Sequence, residues 1–211
     1  MWALVESGTV KQTFNELPSK LTVSNRNYDK AELTAMSDSE RKAIGIYPVA
    51  TAAKLDAKFY IEKPPTYVVN GDKVDETIVK ASDLPLADSN KVDDDGNPIN
   101  DYKGNQEINE GLKTIYKRKT NQNATALISV YNWLVERYTY DNSKTIPTAV
   151  KTYVAAVRTA ATTINGKIDG ASDMTAFSAL FVVPKDGSGN PTGNAPIEDW
   201  PDDYDVRSYR R

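Results

Sequence analysis

Two side chains are missing from this 211-residue chain: it has no cysteine and no histidine. Without cysteine there is no disulfide framework, no thiolate nucleophile and no zinc–thiolate site. Without histidine there is no Ser-His-Asp or Cys-His arrangement, and the commonest general base near neutral pH is absent. Any catalysis would rest on carboxylates, lysine or tyrosine alone. Long apolar runs are missing too. No window approaches the roughly 18 consecutive apolar residues that span a bilayer. The opening Met1-Trp2-Ala3-Leu4-Val5-Glu6 lacks the basic and hydrophobic parts of a secretory signal, so synthesis in the cytoplasm and no membrane partner are expected. Positive charge is also short. The 26 basic residues are outnumbered by 29 acidic ones, for a net charge of -3, whereas nucleic-acid binders concentrate cations on one face. Nucleic acid is therefore not an expected partner. The clusters Lys117-Arg118-Lys119 and Arg207, Arg210 and Arg211 read as a solvated helix face and a docking tail.

What is present is tyrosine, 12 residues against 4 Phe and 3 Trp. Its apolar ring and polar tip suit half-buried positions, either at the rim of a small core or in contacts with other proteins. The pattern along the chain predicts an α+β fold: a small β-rich front half, then a long helical hairpin and an extended C-terminal arm. Residues 1–49 read as a small α+β module. Ser7-Gly8 turns a hairpin, Lys20–Val23 followed by Ser24–Asn27 reads as another strand and a turn, and Ser37 with Glu40 has capping-box spacing before the stop at Gly45. Residues 50–106 read as β-rich and irregular, with Lys58–Glu62 pairing Thr66–Val69, a tight turn at Asn70-Gly71, and an exposed Asp/Asn/Gly/Pro linker over 83–106. From 107 to 183 the apolar spacing predicts a helix of about 30 residues, or about 45 Å, if unbroken. A second helix opens at Pro147 and ends at Asp169-Gly170, and Ser172-Asp173 caps a short third. Residues 184–211 read as an extended arm anchored at Trp200-Pro201. No repeat of solenoid period is expected.

Two stretches carry a resemblance. Met1-Trp2-Ala3-Leu4-Val5, continuing to Ser37-Asp38-Ser39-Glu40-Arg41-Lys42-Ala43-Ile44-Gly45-Ile46, is similar to an N-terminal module of tailed-bacteriophage tail and fibre-associated proteins. There a W-x-L-V opening leads to an S-x-x-E-x-x-x-I-G-I helix. Pro147-Thr148-Ala149-Val150-Lys151-Thr152-Tyr153-Val154-Ala155-Ala156-Val157-Arg158, followed by Ile168-Asp169-Gly170-Ala171, resembles the P-x-x-V-x-x-Y-x-x-A-V-R helix and I-D-G-A break of such proteins. The resemblance implies a virion protein that acts by packing, with other phage tail or virion proteins as partners, several copies per particle and homo-oligomers among the arrangements. It brings no catalytic residues, and neither a cofactor nor a metal is expected. A cytosolic fibre-assembly chaperone absent from the particle is the rival from another class. A carboxylate-based glycan-degrading tail enzyme is the third reading.

The acidic groups are better read as solvated. Asp93-Asp94-Asp95-Gly96-Asn97 puts Lys91 and Tyr102 where an EF-hand needs ligands. Asp199, Asp202, Asp203 and Asp205 lie in a Pro-interrupted tail rather than on rigid strands. Gly187-Ser188-Gly189 lacks the strand-to-helix context of a phosphate cradle. Arg158 is placed to pair with a carboxylate such as Glu136 across the helical hairpin. The expected protein-contact residues are Tyr131, Trp133, Tyr138, Tyr140, Tyr153 and Trp200, together with Tyr204, Arg207, Tyr209 and Arg210 of the terminus.

Overall fold

The structure, a computed structural model, describes residues 1–202. It is α+β, with strands gathered in the front half and helices behind. The chain divides into two compact units, Met1–Asp83 and Leu84–Arg211. Four segments were expected, at 1–49, 50–106, 107–183 and 184–211. The first boundary fails because the strand that ends the expected module is held from both sides.

The first unit contains β1 (Trp2–Glu6), β2 (Thr9–Phe14), β3 (Lys20–Val23), β4 (Arg26–Asp29), α1 (Lys30–Ala35), α2 (Asp38–Ala43), β5 (Ile46–Ala50), β6 (Tyr60–Glu62), β7 (Thr66–Asn70), β8 (Lys73–Thr77) and β9 (Lys80–Asp83). One sheet runs in the order β2-β1-β5-β8-β7. β5 is antiparallel to β1 and parallel to β8, so residues beyond 49 complete the first module. The strands alternate between two buried faces. Leu4 and Ile46 join Leu21, Tyr28 and Leu33 on one. Ala3, Val5 and Val74 pack with Val10, Tyr67 and Val69 on the other. That second cluster draws the edge strands β2 and β7 together. Tyr67 donates to Glu76 Oε1 at 3.0 Å, and Glu76 Oε2 accepts from Ala52 N. Burial, reinforced by the Glu76 carboxylate, pushes the Tyr67 hydroxyl above its ordinary pKa.

Local signals behave as expected here. Ser7 and Gly8 have φ of 51° and 75°, Ser24 and Asn25 of 50° and 63°, as tight hairpins between right-twisted strands require. Ser37 and Glu40 form the capping box. The chain returns after Asn70-Gly71 as expected, β7 pairing with β8, but β6 pairs with β9 rather than with β7. The short Pro64-Pro65 link suggested a hairpin, yet Asn70-Gly71 already supplies β7 with a closer partner.

The second unit begins with β10 (Ser89–Asn90) and β11 (Ile108–Asn109), followed by α3 (Leu112–Ser129), α4 (Asn132–Tyr140), α5 (Thr148–Gly170) and α6 (Met174–Ala179). Its opening is not a loose linker. Asp93, Asp101 and Asp186 each start the pattern D-x-x-G-N, and each folds the same way. The Asp Oδ1 accepts from the backbone N–H two and four residues on, as in Asp93 with Asp95 at 3.0 Å and Asn97 at 2.8 Å. Equivalent pairs join Asp101 to Lys103 and Asn105, and Asp186 to Ser188 and Asn190. Gly96, Gly104 and Gly189 take φ of 86°, 86° and 84°, the left-handed conformation that the turn needs. The period of eight is shorter than a solenoid repeat, which is why it is easily passed over in the sequence.

The first two turns lie in tandem and close on themselves. Ile99 N donates to Lys91 O, Glu107 N to Ile99 O, and Lys91 N to Glu107 O, at 2.8–3.0 Å. Gln106 Nε2 sits 2.7, 3.2 and 3.3 Å from the same three carbonyls. Gln106→Leu removes this central donor and is expected to cost about 1–2 kcal/mol. Faster hydrogen exchange at the Lys91, Ile99 and Glu107 amides is the corresponding readout.

The backbone N–H of Asn97, Asn105 and Asn190 holds the carboxyls of Asp93, Asp101 and Asp186, respectively, below the ordinary aspartate range, helped by the Asn side-chain amides. A depressed folded pKa stabilises above the unfolded value of about 3.9, and that contribution is lost as pH falls through the folded pKa. Each turn is therefore expected to lose this stabilisation as pH falls through the folded pKa of its own aspartate. In an NMR titration the three carboxyl midpoints should fall below about 3.9; midpoints at or above it would contradict the assignment.

These turns lead back to the start of α3. Gly111, its N-cap residue, has no capping side chain. Asp88 supplies the cap instead, accepting from Gly111 N at 2.7 Å and Thr114 Oγ1 at 2.9 Å. Those two bonds lower its pKa, the Gly111 N–H most. Leu112 N and Lys113 N donate to Pro85 and Leu86 carbonyls. The first-turn donors that a helix cannot satisfy alone are met by a segment far upstream.

The expected 30-residue helix starts later, at Leu112, and breaks at Val130–Tyr131 into α3 and α4. The residues Ile128-Ser129-Val130-Tyr131-Asn132 all have modest helix propensity. Packing decides the break: Tyr131 is 3% exposed and meets Tyr153 edge to face at 5.3 Å. α5 and α6 start and stop where expected, α6 under the Asp173 side-chain cap. Phe177, fully buried on α6, meets Tyr116 of α3 and Phe181.

The described part of the C-terminal arm is anchored rather than free. Ala195 and Ile197 are buried, Ile197 N donates to Leu180 O at 3.0 Å, and Trp200 packs on the α3–α4–α5 core.

Candidate interaction surface on the helical unit

The site is built around the α3–α4 elbow and the first half of α5. Tyr131, Leu134, Val150, Tyr153 and Val157 are buried together, which fixes the two segments against each other. The inward stripe of α3 continues into α4 through Tyr131 and Leu134, and it leaves other residues of α4 on the outside. Val135, 52% exposed, and Tyr138, 44% exposed, lie three residues apart on one face of α4. Val130 and Tyr140 are also exposed, Tyr140 at 91%.

Between α4 and α5 this geometry leaves a groove of about 220 Å³. Ile128, Tyr131, Val150 and Val154 supply apolar wall, and Val135 and Ile146 lie along it. Its polar lining consists of Asn132, Lys151 and Arg158, with no carboxylate among them. Both cations are exposed. Among the described residues neither joins an ion pair, and the expected Arg158–Glu136 pair is not formed.

The expected contact residues separate into three groups. Tyr131 and Tyr153 are core residues, at 3% and 6% exposure. They meet edge to face, so they act beneath the surface and not on it. Trp133 is half-buried under the Arg137 guanidinium, 5.2 Å from its ring, and Trp200 is half-buried on the core. Tyr138 and Tyr140 are at the surface. Tyr204, Arg207, Tyr209 and Arg210 lie outside the described residues. Val135, Lys151 and Val154 were missed. Val135 carries a visible signal, an apolar residue off the inward stripe that runs through Tyr131 and Leu134.

Other surfaces are less suited to recognition. A wider hollow along α3, about 680 Å³ and mostly apolar in surface, has Lys117 and Arg118 in its lining, and both are engaged by Asp169 and Glu110. In the first unit, a polar hollow by the hairpin turns includes Lys42, which is bound to Asp72. Asp199 pairs with Lys167 at 3.2 Å, while Asp203 and Asp205 lie outside the described residues. Asp93 spends both carboxylate oxygens on its own turn. Among the described residues no cluster of three acidic side chains could hold a metal ion, and no helix is long and apolar enough to cross a membrane.

Comparison with protein-family models, with curated proteins and with solved structures found no match.

Proposed function

We propose that the chain is a structural component of a tailed-bacteriophage particle, a tail, baseplate or fibre-attachment protein that acts by packing against neighbouring virion proteins. The observation that carries the packing role is the α4–α5 surface. Val135 lines an apolar groove whose two cations join no ion pair among the described residues, and Val130, Tyr138 and Tyr140 also stand exposed on this unit. Apolar groups left beside such a groove are stabilised when a partner removes them from water. The phage setting is supported by the resemblance over the opening strand and capped helix and over the α5 segment.

Mass spectrometry of purified particles tests the assignment. The chain is expected in every particle at a fixed ratio to the major tail proteins. Its absence from particles, with recovery in complex with an immature fibre protein, would move it to the assembly-chaperone class. Absence from both would remove the phage assignment.

A further inference from the structure

We propose that the α4–α5 groove receives an acidic amphipathic helix from a different protein, with apolar side chains in the groove and two carboxylates, seven residues apart, on Lys151 and Arg158. The proposal rests on the reading of this surface as an interface, and it names the chemistry of the partner.

The size of the groove points to side chains rather than a free small molecule. At about 220 Å³ it is below the usual span of ligand pockets, about 300–1,000 Å³, and suits apolar anchors from a larger partner. Its walls are two helices, a shape that commonly receives a third through residues at i, i+3, i+4 and i+7.

Charge then selects the kind of helix. The groove is lined by two cations and no carboxylate, on a chain whose net charge is -3. The positive potential is therefore local. Lys151 and Arg158 are seven residues apart on α5, so their backbones are separated by about 10.5 Å along its axis on nearly the same side. A partner helix lying along α5 repeats with the same rise. Acidic residues at i and i+7 reach both cations at once, while the i+3 and i+4 positions face the apolar wall. Two cations are too few for a nucleic-acid surface, which draws its affinity from many phosphate contacts.

The occupant is not a second copy of this chain. α3 and α6 contain no acidic residue, α1, α4 and α5 contain one each, and the two of α2 are two residues apart. None of these helices offers carboxylates at i and i+7. In residues 203–211 the acids, Asp203 and Asp205, are likewise only two apart.

Two synthetic helix-stabilised peptides test the proposal against the full chain by titration calorimetry. Both carry Leu at i+3 and i+4 of the contact face. One has Glu at i and i+7, the other Lys. The Glu peptide is expected to bind saturably at one site, at least about tenfold more tightly than the Lys peptide, with affinity falling as salt is raised. Lys151→Glu with Arg158→Glu should reverse the preference, and Val135→Asp should weaken both peptides by about tenfold or more. All three positions are exposed, and unchanged thermal melts would confirm that the variants fold. Three results would overturn the proposal: no binding, equal binding of the two peptides, or indifference to the double reversal. Binding only after removal of residues 203–211 would also overturn it, by making the chain's own terminus the occupant. So would a concentration-dependent dimer abolished by Val135→Asp. The particle assignment stands or falls separately: a chain absent from particles that binds the Glu peptide keeps its groove, and a virion component indifferent to both peptides loses only the groove.

Discussion

Alanine at Gly111 is expected to unseat the start of α3 and lower the melting temperature of the helical unit by about 10 °C. A Cβ at this position would lie 2.5 Å from the carbonyl oxygens of both Leu86 and Ala87. Those atoms are backbone and cannot swing aside. Pro85 and Leu86 are also bound by the first N–H groups of α3, so moving the strand breaks the bonds that cap the helix. Overpacking of this kind costs about 3 kcal/mol. The opposite sign is expected in α5. Gly166 has open space around its would-be Cβ, and alanine there should stabilise by up to about 1 kcal/mol through helix propensity. Thermal melts of the two variants distinguish a glycine required by close approach from one that the fold merely tolerates. A Gly111→Ala chain that melts with the parent would show that the upstream segment does not clamp the helix.

Leu134→Ala is expected to destabilise the same unit by about 3 kcal/mol, through loss of burial and the cavity left behind. Leu134 is fully buried between Tyr131, Val150, Tyr153 and Val157, where no flexible neighbour is free to fill the space. Tyr140→Ala removes a larger side chain but one that is 91% exposed, and should change stability by no more than about 0.5 kcal/mol. Urea unfolding checks both: the midpoint should fall for Leu134→Ala at unchanged slope and stay in place for Tyr140→Ala. Equal effects would mean that the elbow core is not where α4 is held. This comparison also separates the two kinds of tyrosine in the unit. Tyr131 and Tyr153 are buried in the core, whereas Tyr138 and Tyr140 are exposed at the surface.

The α4–α5 surface was partly legible. Aromatic richness over residues 131–153 marks the region, and Arg158 stands out beside an apolar stripe. What could not be read was which aromatics face outward. That depends on packing between helices: Tyr131 faces inward against Tyr153, two rings 22 positions apart in the chain. The expected Arg158–Glu136 pair is likewise a contact between helices, and Arg158 lines an apolar groove instead.

Wherever a few neighbouring residues set the conformation, their order alone was sufficient. Ser7-Gly8, Ser24-Asn25 and Asn70-Gly71 turn their hairpins, Ser37 with Glu40 caps α2, and Asp173 caps α6, because these preferences involve backbone and side chains within four positions. The three D-x-x-G-N turns belong to this class, each closed by its own Asp and Gly. Tertiary structure decided the rest: the parallel pairing of β5 with β8, the capping of α3 by Asp88, the burial of Ile197, and the elbow at Tyr131. Each of these joins segments whose local preferences admit several partners, and only simultaneous burial of apolar faces with satisfaction of the backbone donors selects one.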